Sequence, residues 1–381
     1  MTFRRLLFTA LLLSCSPASG EPSREPSRDN DPKAPPKSVE APPNPAEAPP
    51  SEPSAPPPDA DYAQSANLMG TVIRVTVAGA TKEEASPAID AAFAEIRRLE
   101  RLLSEWIPTS DISRINAAAG ESAVSVHGET IDVIEAANAI SRWSQGAFDL
   151  SWAALRGMYL FQPGQEFVPE LSAVKARLKL IDYRKIQVDE EHGTVMLTKK
   201  GMALGTGGIA KGYALDRAAD IIRKAGFANF MIFGGGQIEL SGTRHGRPWR
   251  VGIQHPRAND YFGFVEATDG SVATAGDYEH SFVRDGKRWH HIIDTRTGLP
   301  VDHTMSVTVV AESGLAADAV DTAIFILGAK RALKMMARAP FPADAIIVDS
   351  DMRIHMTPGM QKRIVMRTEL VDGKLPTVDQ K

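Results

Sequence analysis

The sequence predicts an α+β fold, with mixed or antiparallel sheets and helices packed against them. Three observations lead there. The second half of the chain is a run of short β-branched segments, not a regular strand–helix alternation. A long amphipathic stretch over 82–106 precedes it. A glycine-rich turn, Gly205 to Gly212, formally carries a G-x-G-x-x-A pattern. It lacks the acid about 20 residues on that a dinucleotide-binding βαβ unit requires, and Asp216 and Asp220 fall inside the next helix. Lys211 is followed by Gly212, so the turn is not a P-loop.

The chain has 381 residues, and its first part reads as address and spacer. Residues 1–20 have the form of an export signal. Arg4 and Arg5 precede an apolar stretch, Leu6 to Leu13, that is too short to span a bilayer. The signal's end, Leu12-Leu13-Ser14-Cys15, resembles a bacterial lipobox. That implies cleavage before Cys15 and acylation of its thiol; an ordinary cleaved signal with an incidental cysteine is the alternative. Ser16 after the cysteine points to the outer membrane of a bacterial envelope, facing the periplasm. Cys15 is the only cysteine, which excludes an intramolecular disulfide, a Cys₄ zinc site and a Cys–His catalytic pair. Residues 16–60 hold more than half of the 26 prolines and almost no large apolar side chain. They read as a disordered tether with a reach on the order of 100 Å. The folded domain is expected over 61–360, with a tail over 361–381. A net charge of −4 and the lack of a basic stripe argue against a nucleic-acid binder.

Within the domain, Leu68–Val77 alternates and reads as one strand. Ile89, Phe93, Ile96, Leu99, Leu102 and Leu103 recur at helical spacing within 82–106. Further helices are expected over 129–144 and 168–180, then a hairpin over 185–188 and 194–198. The glycine-rich turn opens a helix over 209–225. Strands follow over 229–233, 238–240, 249–254, 264–267, 271–274, 290–294 and 306–310. Helices over 317–327 and 329–337 and strands over 345–348 and 352–355 complete the pattern.

The chemistry concentrates in three places. Asp318, Asp321 and Thr322 stand at i, i+3 and i+4 and share one face of an apolar helix. Two carboxylates and a hydroxyl there make a hard-cation site, Mg²⁺ before Zn²⁺; Asp318 alone is also a good N-cap. A Mg²⁺ site in turn suggests a phosphate-bearing ligand. At the glycine-rich turn, bare backbone and a helix N-terminus suit an anion. Lys211 sits there against the helix dipole, either for a ligand or merely solvated. In the polar segment 271–300, His290 and His291 are adjacent, so on a strand one faces a site and the other the core or solvent. Arg296 could hold a phosphate or a carboxylate.

These residues also carry a family resemblance. LMGT at 68–71, LSEWIPTSDISRIN at 103–116, GAFDLSW at 146–152 and GGIAKGYALD at 207–216 are joined in order by four later segments. The later ones are GGGQIELSG at 234–242, VATAGDY at 272–278, HHIIDTRTGLP at 290–300 and ADAVDTAIFILG at 317–328. Together they resemble the ApbE family of FAD:protein FMN transferases, over about 64–356. The resemblance implies an α+β fold related to the T-fold. It implies FAD as substrate, Mg²⁺ as cofactor, and transfer of FMN to a Thr or Ser hydroxyl of a periplasmic or membrane partner with release of AMP. It puts metal ligands at Gly208, Asp318, Asp321 and Thr322 and FAD contacts at Met69, Trp106, Ala147, Phe148, Asp149 and Lys211. His291 matches the histidine of the family's His-Ile-Ile-Asp motif and is the expected acid/base or phosphate-facing group. Two positions depart from the family's pattern: Gly205-Thr206-Gly207 stands where Asp-Leu-Gly is usual, and Ala275 where Ser is usual. A third, Gln237, stands where an acid or amide is usual. The first departure removes a carboxylate expected to contact FAD. The rival readings are an FAD pyrophosphatase giving FMN and AMP, a non-catalytic FAD-binding lipoprotein, and an envelope protein that binds no flavin.

Overall fold

A computed structural model describes residues 60–376. The expected signal, Cys15 and the proline-rich tether lie outside the described residues. In chain order the first part contains β1 (Tyr62–Leu68), β2 (Thr71–Val77), α1 (Lys82–Leu103), α2 (Asp111–Ala117), β3 (Val124–Ser125) and α3 (Gly128–Ser144). A 3₁₀ segment (Leu150–Leu155), α4 (Leu171–Leu178), β4 (Ile186–Asp189) and β5 (Thr194–Leu197) follow. Next come α5 (Ala210–Lys224), β6 (Phe230–Gly234), β7 (Gln237–Ser241), β8 (Trp249–Gln254), β9 (Tyr261–Ala267) and β10 (Gly270–Gly276). The last part contains β11 (Ser281–Arg284), β12 (Lys287–His290), β13 (Thr304–Ala311), α6 (Gly314–Leu327) and α7 (Ala329–Met336). It ends with β14 (Ala343–Asp349), β15 (Ile354–Met356), α8 (Pro358–Arg363) and β16 (Ile364–Met366).

Eight strands form one sheet in the order β1-β2-β6-β7-β10-β13-β14-β15, and every neighbouring pair is antiparallel. This is the α+β architecture read from the sequence. Alternating side chains send two sets of apolar residues to opposite faces. One set, including Ile73, Val75, Ile232, Val307 and Val309, packs under α1, α5 and α6. The other, including Leu240, Val272, Val310 and Ile346, meets Trp249, Val251 and Phe262 of a second sheet, β16-β9-β8.

Helix α6 is the axis of the larger core. Its sequence is apolar around all but the Asp318–Asp321–Thr322 face, and nearly all of it is buried. At its start it crosses α5 backbone to backbone. A Cβ on Gly212 would lie 2.0 Å from the Gly314 carbonyl oxygen, and one on Gly314 would lie 2.5 Å from that of Gly212. Asp216 locks the crossing by accepting from the amides of Gly314 (2.5 Å) and Leu315 (3.0 Å). Burial raises Asp216 to about 6 in spite of those bonds. Nearby, burial and the Asp216 charge push Glu239 up to about 8, against the pull of Arg223 at 3.2 Å.

Several boundaries differ from the sequence reading. Leu68–Val77 is not one strand: Met69 and Gly70, with φ of 51° and 73°, make a two-residue turn between β1 and β2. The alternation continues through the turn, which hides it. Residues 290–294 are not a strand either, since β12 ends at His290. There the ring of His290 accepts from the Ile292 amide (3.3 Å) and contacts the Val301 carbonyl (2.6 Å), and the chain turns away. Helix α6 begins at Gly314, one turn before the expected Ala317, with Ser313 as its cap. Asp318 is therefore no N-cap. The tail from 361 packs on the domain as far as it is described, to residue 376: β16 pairs with β9, and Leu375 is buried.

Two outcomes follow from this packing. Gly212→Ala is expected to destabilise the protein by on the order of 3 kcal/mol or more in chemical denaturation. Gly207→Ala, which meets nothing within 4 Å, serves as a near-neutral control. Glu239 keeps a proton in the folded state that the unfolded chain releases above its ordinary 4.5. Stability from this group therefore falls as pH rises from about 4.5 to about 8. Melting temperature should decline between pH 6 and 9, and decline less in Glu239→Gln.

Candidate active site

The α5–α6 crossing brings the glycine-rich turn onto the acidic face of α6. Asp318 Oδ2 accepts from the Gly212 amide at 3.0 Å, and Lys211 Nζ stands 3.8 Å from Asp318 Oδ1. Lys211 is half-buried and also reaches the Gly207 carbonyl at 3.4 Å. One turn along α6, the Thr322 hydroxyl donates to Asp321 Oδ1 at 3.0 Å. Gly208 closes the group: a Cβ there would be 3.3 Å from Thr322 Oγ1 and 3.4 Å from the Phe148 ring. The structure thus gathers Gly208, Lys211, Asp318, Asp321, Thr322 and Phe148 into one place. The amides of Gly207 and Gly208 make no hydrogen bond among the described residues, which leaves two bare donors beside Lys211.

The electrostatics of this place are costly. Asp321 is buried, and desolvation and the Asp318 charge raise its pKa well above the ordinary 3.8. The hydrogen bonding it receives from Thr322 does not offset that. Two carboxylates and a threonine hydroxyl, with Gly208 beside them, are the kind of oxygen group that suits a hard divalent cation. A cation there would relieve the repulsion between Asp318 and Asp321.

His290 and His291 divide between core and solvent. His290 is core, edge-on to Phe325 with ring centroids 5.9 Å apart. His291 opens to solvent, with His280 against it at 5.2 Å and its amide donating to the His280 carbonyl (3.1 Å). Crowding by protein, then His280, His290 and Lys211, lowers the His291 pKa below the ordinary 6.5. The solvent on its open side moderates that fall. The ring is neutral at pH 7 and able to accept a proton.

The other expected contacts are spread along two supports. Ala147 is buried, and its carbonyl, with that of Gly146, accepts from the Thr295 hydroxyl (3.2 and 2.5 Å). Asp149 is fully engaged within the fold: it accepts from the Ser151 amide (2.8 Å) and hydroxyl (2.6 Å) and the Tyr183 amide (2.8 Å). Its side chain shapes the Phe148 segment, with both carboxylate oxygens bonded within the fold. Arg296 is likewise committed, forked onto Asp294 at 2.8 Å through two bonds. Met69 occupies the β1–β2 turn, its amide bonded to Glu100 of α1 (2.9 Å). A recess of about 420 Å³ lies beside that turn, lined by Asn67, Leu68, Gly70, Thr71, Val72 and Glu100. Trp106 is 74% exposed just beyond the end of α1, with the Arg156 guanidinium 4.9 Å over its ring. Sequence reasoning missed Thr295 as the tie to Ala147 and missed Glu105, which contacts Thr206 from 101 residues away. No local spacing signals either link.

Asp321→Asn removes the buried charge while keeping the shape. Asp321 holds a proton when folded that it loses when unfolded, so its contribution to stability falls as pH rises above 3.8. In a chelator at pH 8, Asp321→Asn should melt higher than the wild type, and the gap should narrow towards pH 4. Equal melting temperatures at pH 8 would remove the buried-repulsion account.

Comparison with known proteins places this geometry. The family model described as ApbE family matches residues 69–347. A Klebsiella pneumoniae protein called FAD:protein FMN transferase is 33% identical over 305 residues, 79% of this chain and 93% of its own length. The crystal structure of the ApbE protein from Thermotoga maritima superposes with a TM-score of 0.74 at 32% identity, covering 80% of this chain and 99% of that one. The apo Pseudomonas stutzeri flavinyl transferase ApbE gives a TM-score of 0.68 at 27% identity, covering 80% and 97%. By the extent of these matches, and with the same segments assembling its acidic face and glycine-rich turn, the chain belongs to the ApbE family.

Proposed function

We infer that the chain is an FAD:protein FMN transferase, a Mg²⁺-dependent enzyme that moves FMN from FAD to a Thr or Ser hydroxyl of an acceptor protein and releases AMP. The observation that carries this reading is the buried Asp318–Asp321 pair set against Gly208 and Lys211 at the start of a helix. Such a place suits a pyrophosphate with its cation. Support also comes from relatives that bear the transferase name.

Each group has a part in the step. Asp318, Asp321, Thr322 and the Gly208 carbonyl would hold Mg²⁺, which when bound neutralises the pyrophosphate and polarises the phosphorus. Lys211 and the bare amides of Gly207 and Gly208 hold phosphate oxygens. Trp106 offers a flat face for ring stacking, and Met69, Ala147 and Phe148 would meet the rest of the FAD. Neutral His291 takes the proton from the incoming hydroxyl. The acceptor O–P bond forms, the P–O bond of the pyrophosphate breaks, and AMP leaves with its phosphate negative. The same reading extends to location: the Leu12–Cys15 segment supports a lipid anchor on a periplasm-facing envelope protein, with the acceptor on the same side.

The test is incubation of the full chain with FAD, Mg²⁺ and a Thr-containing acceptor, read by mass spectrometry. The acceptor should gain the mass of FMN, and Asp321→Ala should lose on the order of 100-fold or more in rate. Millimolar Mg²⁺ should raise the melting temperature of the wild type and not of Asp321→Ala. His291→Ala should cost on the order of 100-fold, and the acid limb of kcat/KM should lie below pH 6.5. Free FMN and AMP with no labelled acceptor would replace this reading with a pyrophosphatase; intact FAD would overturn it.

A further inference from the structure

Glu105 is a buried carboxylate with too few partners. Its side chain is 7% exposed. It accepts from the Thr206 amide at a long 3.3 Å, and its distance to Arg156 Nη1 is 4.0 Å. The Thr206 hydroxyl lies 3.3 Å from the carboxylate oxygen that meets the amide and 2.6 Å from the Leu103 carbonyl, with one hydrogen to share between them. Arg156 is turned elsewhere, donating to the Glu105 carbonyl (3.2 Å) and covering Trp106. A desolvated carboxylate ordinarily gathers several short bonds, as Asp149 does with three of 2.6–2.8 Å. Glu105 Oε1 has no hydrogen-bond donor among the described residues.

Its surroundings say what could meet it. A Cβ on Gly205 would lie 2.9 Å from Trp152 Nε1 and 3.0 Å from the Ala153 Cβ, so the indole of Trp152 closes that side of the turn to any side chain. Gly207, by contrast, faces open space, with nothing within 4 Å of a Cβ. Glu105 is thus the acid bonded to the Gly205–Gly207 turn, and the neighbouring residue is the exposed ring of Trp106.

We propose that Glu105 is a specificity-determining residue of the nucleotide site, its carboxylate accepting hydrogen bonds from sugar hydroxyls of FAD beside the ring stacked on Trp106. This rests on the flavin-transfer reading above. The shared chemistry is a vicinal hydroxyl donor, and FAD offers two: the ribose of its AMP half and the ribityl chain of its FMN half. Hydroxyls donating to a carboxylate make charge-assisted bonds, stronger than those to a neutral amide.

The experiment measures binding of FAD, FMN and AMP to the full chain and to Glu105→Gln, with melting temperatures alongside. The amide oxygen of Gln can still accept from the Thr206 amide, so the substitution spares the structural bond and alters only the charge. FAD affinity is expected to fall at least tenfold with melting unchanged. A matching loss for AMP assigns the ribose; a matching loss for FMN assigns the ribityl chain. FAD affinity within twofold of wild type overturns the proposal and leaves Glu105 as a pin for the turn. Should Glu105→Gln melt lower, Glu105→Asp and Thr206→Val separate the two roles. A specificity role demands that Thr206→Val, which disturbs the turn and keeps the carboxylate, retain FAD affinity; loss there equal to that of Glu105→Gln overturns it. If the wild type fails to bind FAD, the flavin reading itself falls and this assignment with it.

Discussion

The contact between Gly212 and Gly314 is the constraint on which the site depends. Two helices approach there until the backbone of one fills the space where the other's Cβ would be. No other residue pair permits that distance. The consequence is chemical as well as structural. Because α5 begins against the first turn of α6, the Gly212 amide reaches Asp318, Lys211 lies beside the same carboxylate, and Gly208 faces Thr322. Asp216 then holds the α6 N-terminus in that register. A shift of one ångström at the crossing would separate the basic turn from the acidic face.

Around that crossing the protein keeps several carboxylates out of water, in different ways. Asp149 is satisfied by three short bonds and serves local shape. Asp216 is satisfied by two helix amides. Glu239 carries a proton at neutral pH, which lessens the cost of its burial. Asp321 has neither enough donors nor a cationic neighbour in contact, and Asp318 presses on it. Groups left under-satisfied in a core are where stability has been exchanged for binding. Asp321 and Glu105 are the two such carboxylates nearest the glycine-rich turn, one beside the bare Gly208 and the other bonded to Thr206. On the flavin-transfer reading they would act at different parts of one ligand: its pyrophosphate and its sugar.

Much of this was legible from the chain alone, for reasons that differ by element. The long helix α1 showed itself because 22 residues allow several turns of periodicity, and Thr81 and Glu84 close a capping box at its start. The acidic face of α6 was legible because i, i+3 and i+4 are neighbours on any helix. Short elements were not: α2, α8, β11 and β16 are too brief for a period to register. The β1–β2 turn was hidden because Leu68 and the residues after Gly70 keep one alternation across two strands. Asp318 looked like a cap because the true start, Ser313-Gly314, reads as an ordinary turn.

The sequence by itself determined the fold class, the family, and which residue types would meet a phosphate and a cation, since all three follow from local patterns and ordered motifs. Only the tertiary structure decided how those residues are used. Asp149 and Arg296 looked free in the sequence and are occupied by partners within the fold. His290 and His291 were interchangeable until Phe325 and the Val301 carbonyl claimed the first and left the second open. Glu105 had no distinguishing mark until folding set it against Thr206. The reason is common to all four: burial and hydrogen-bond satisfaction depend on neighbours distant in the chain, and local sequence pattern does not carry them.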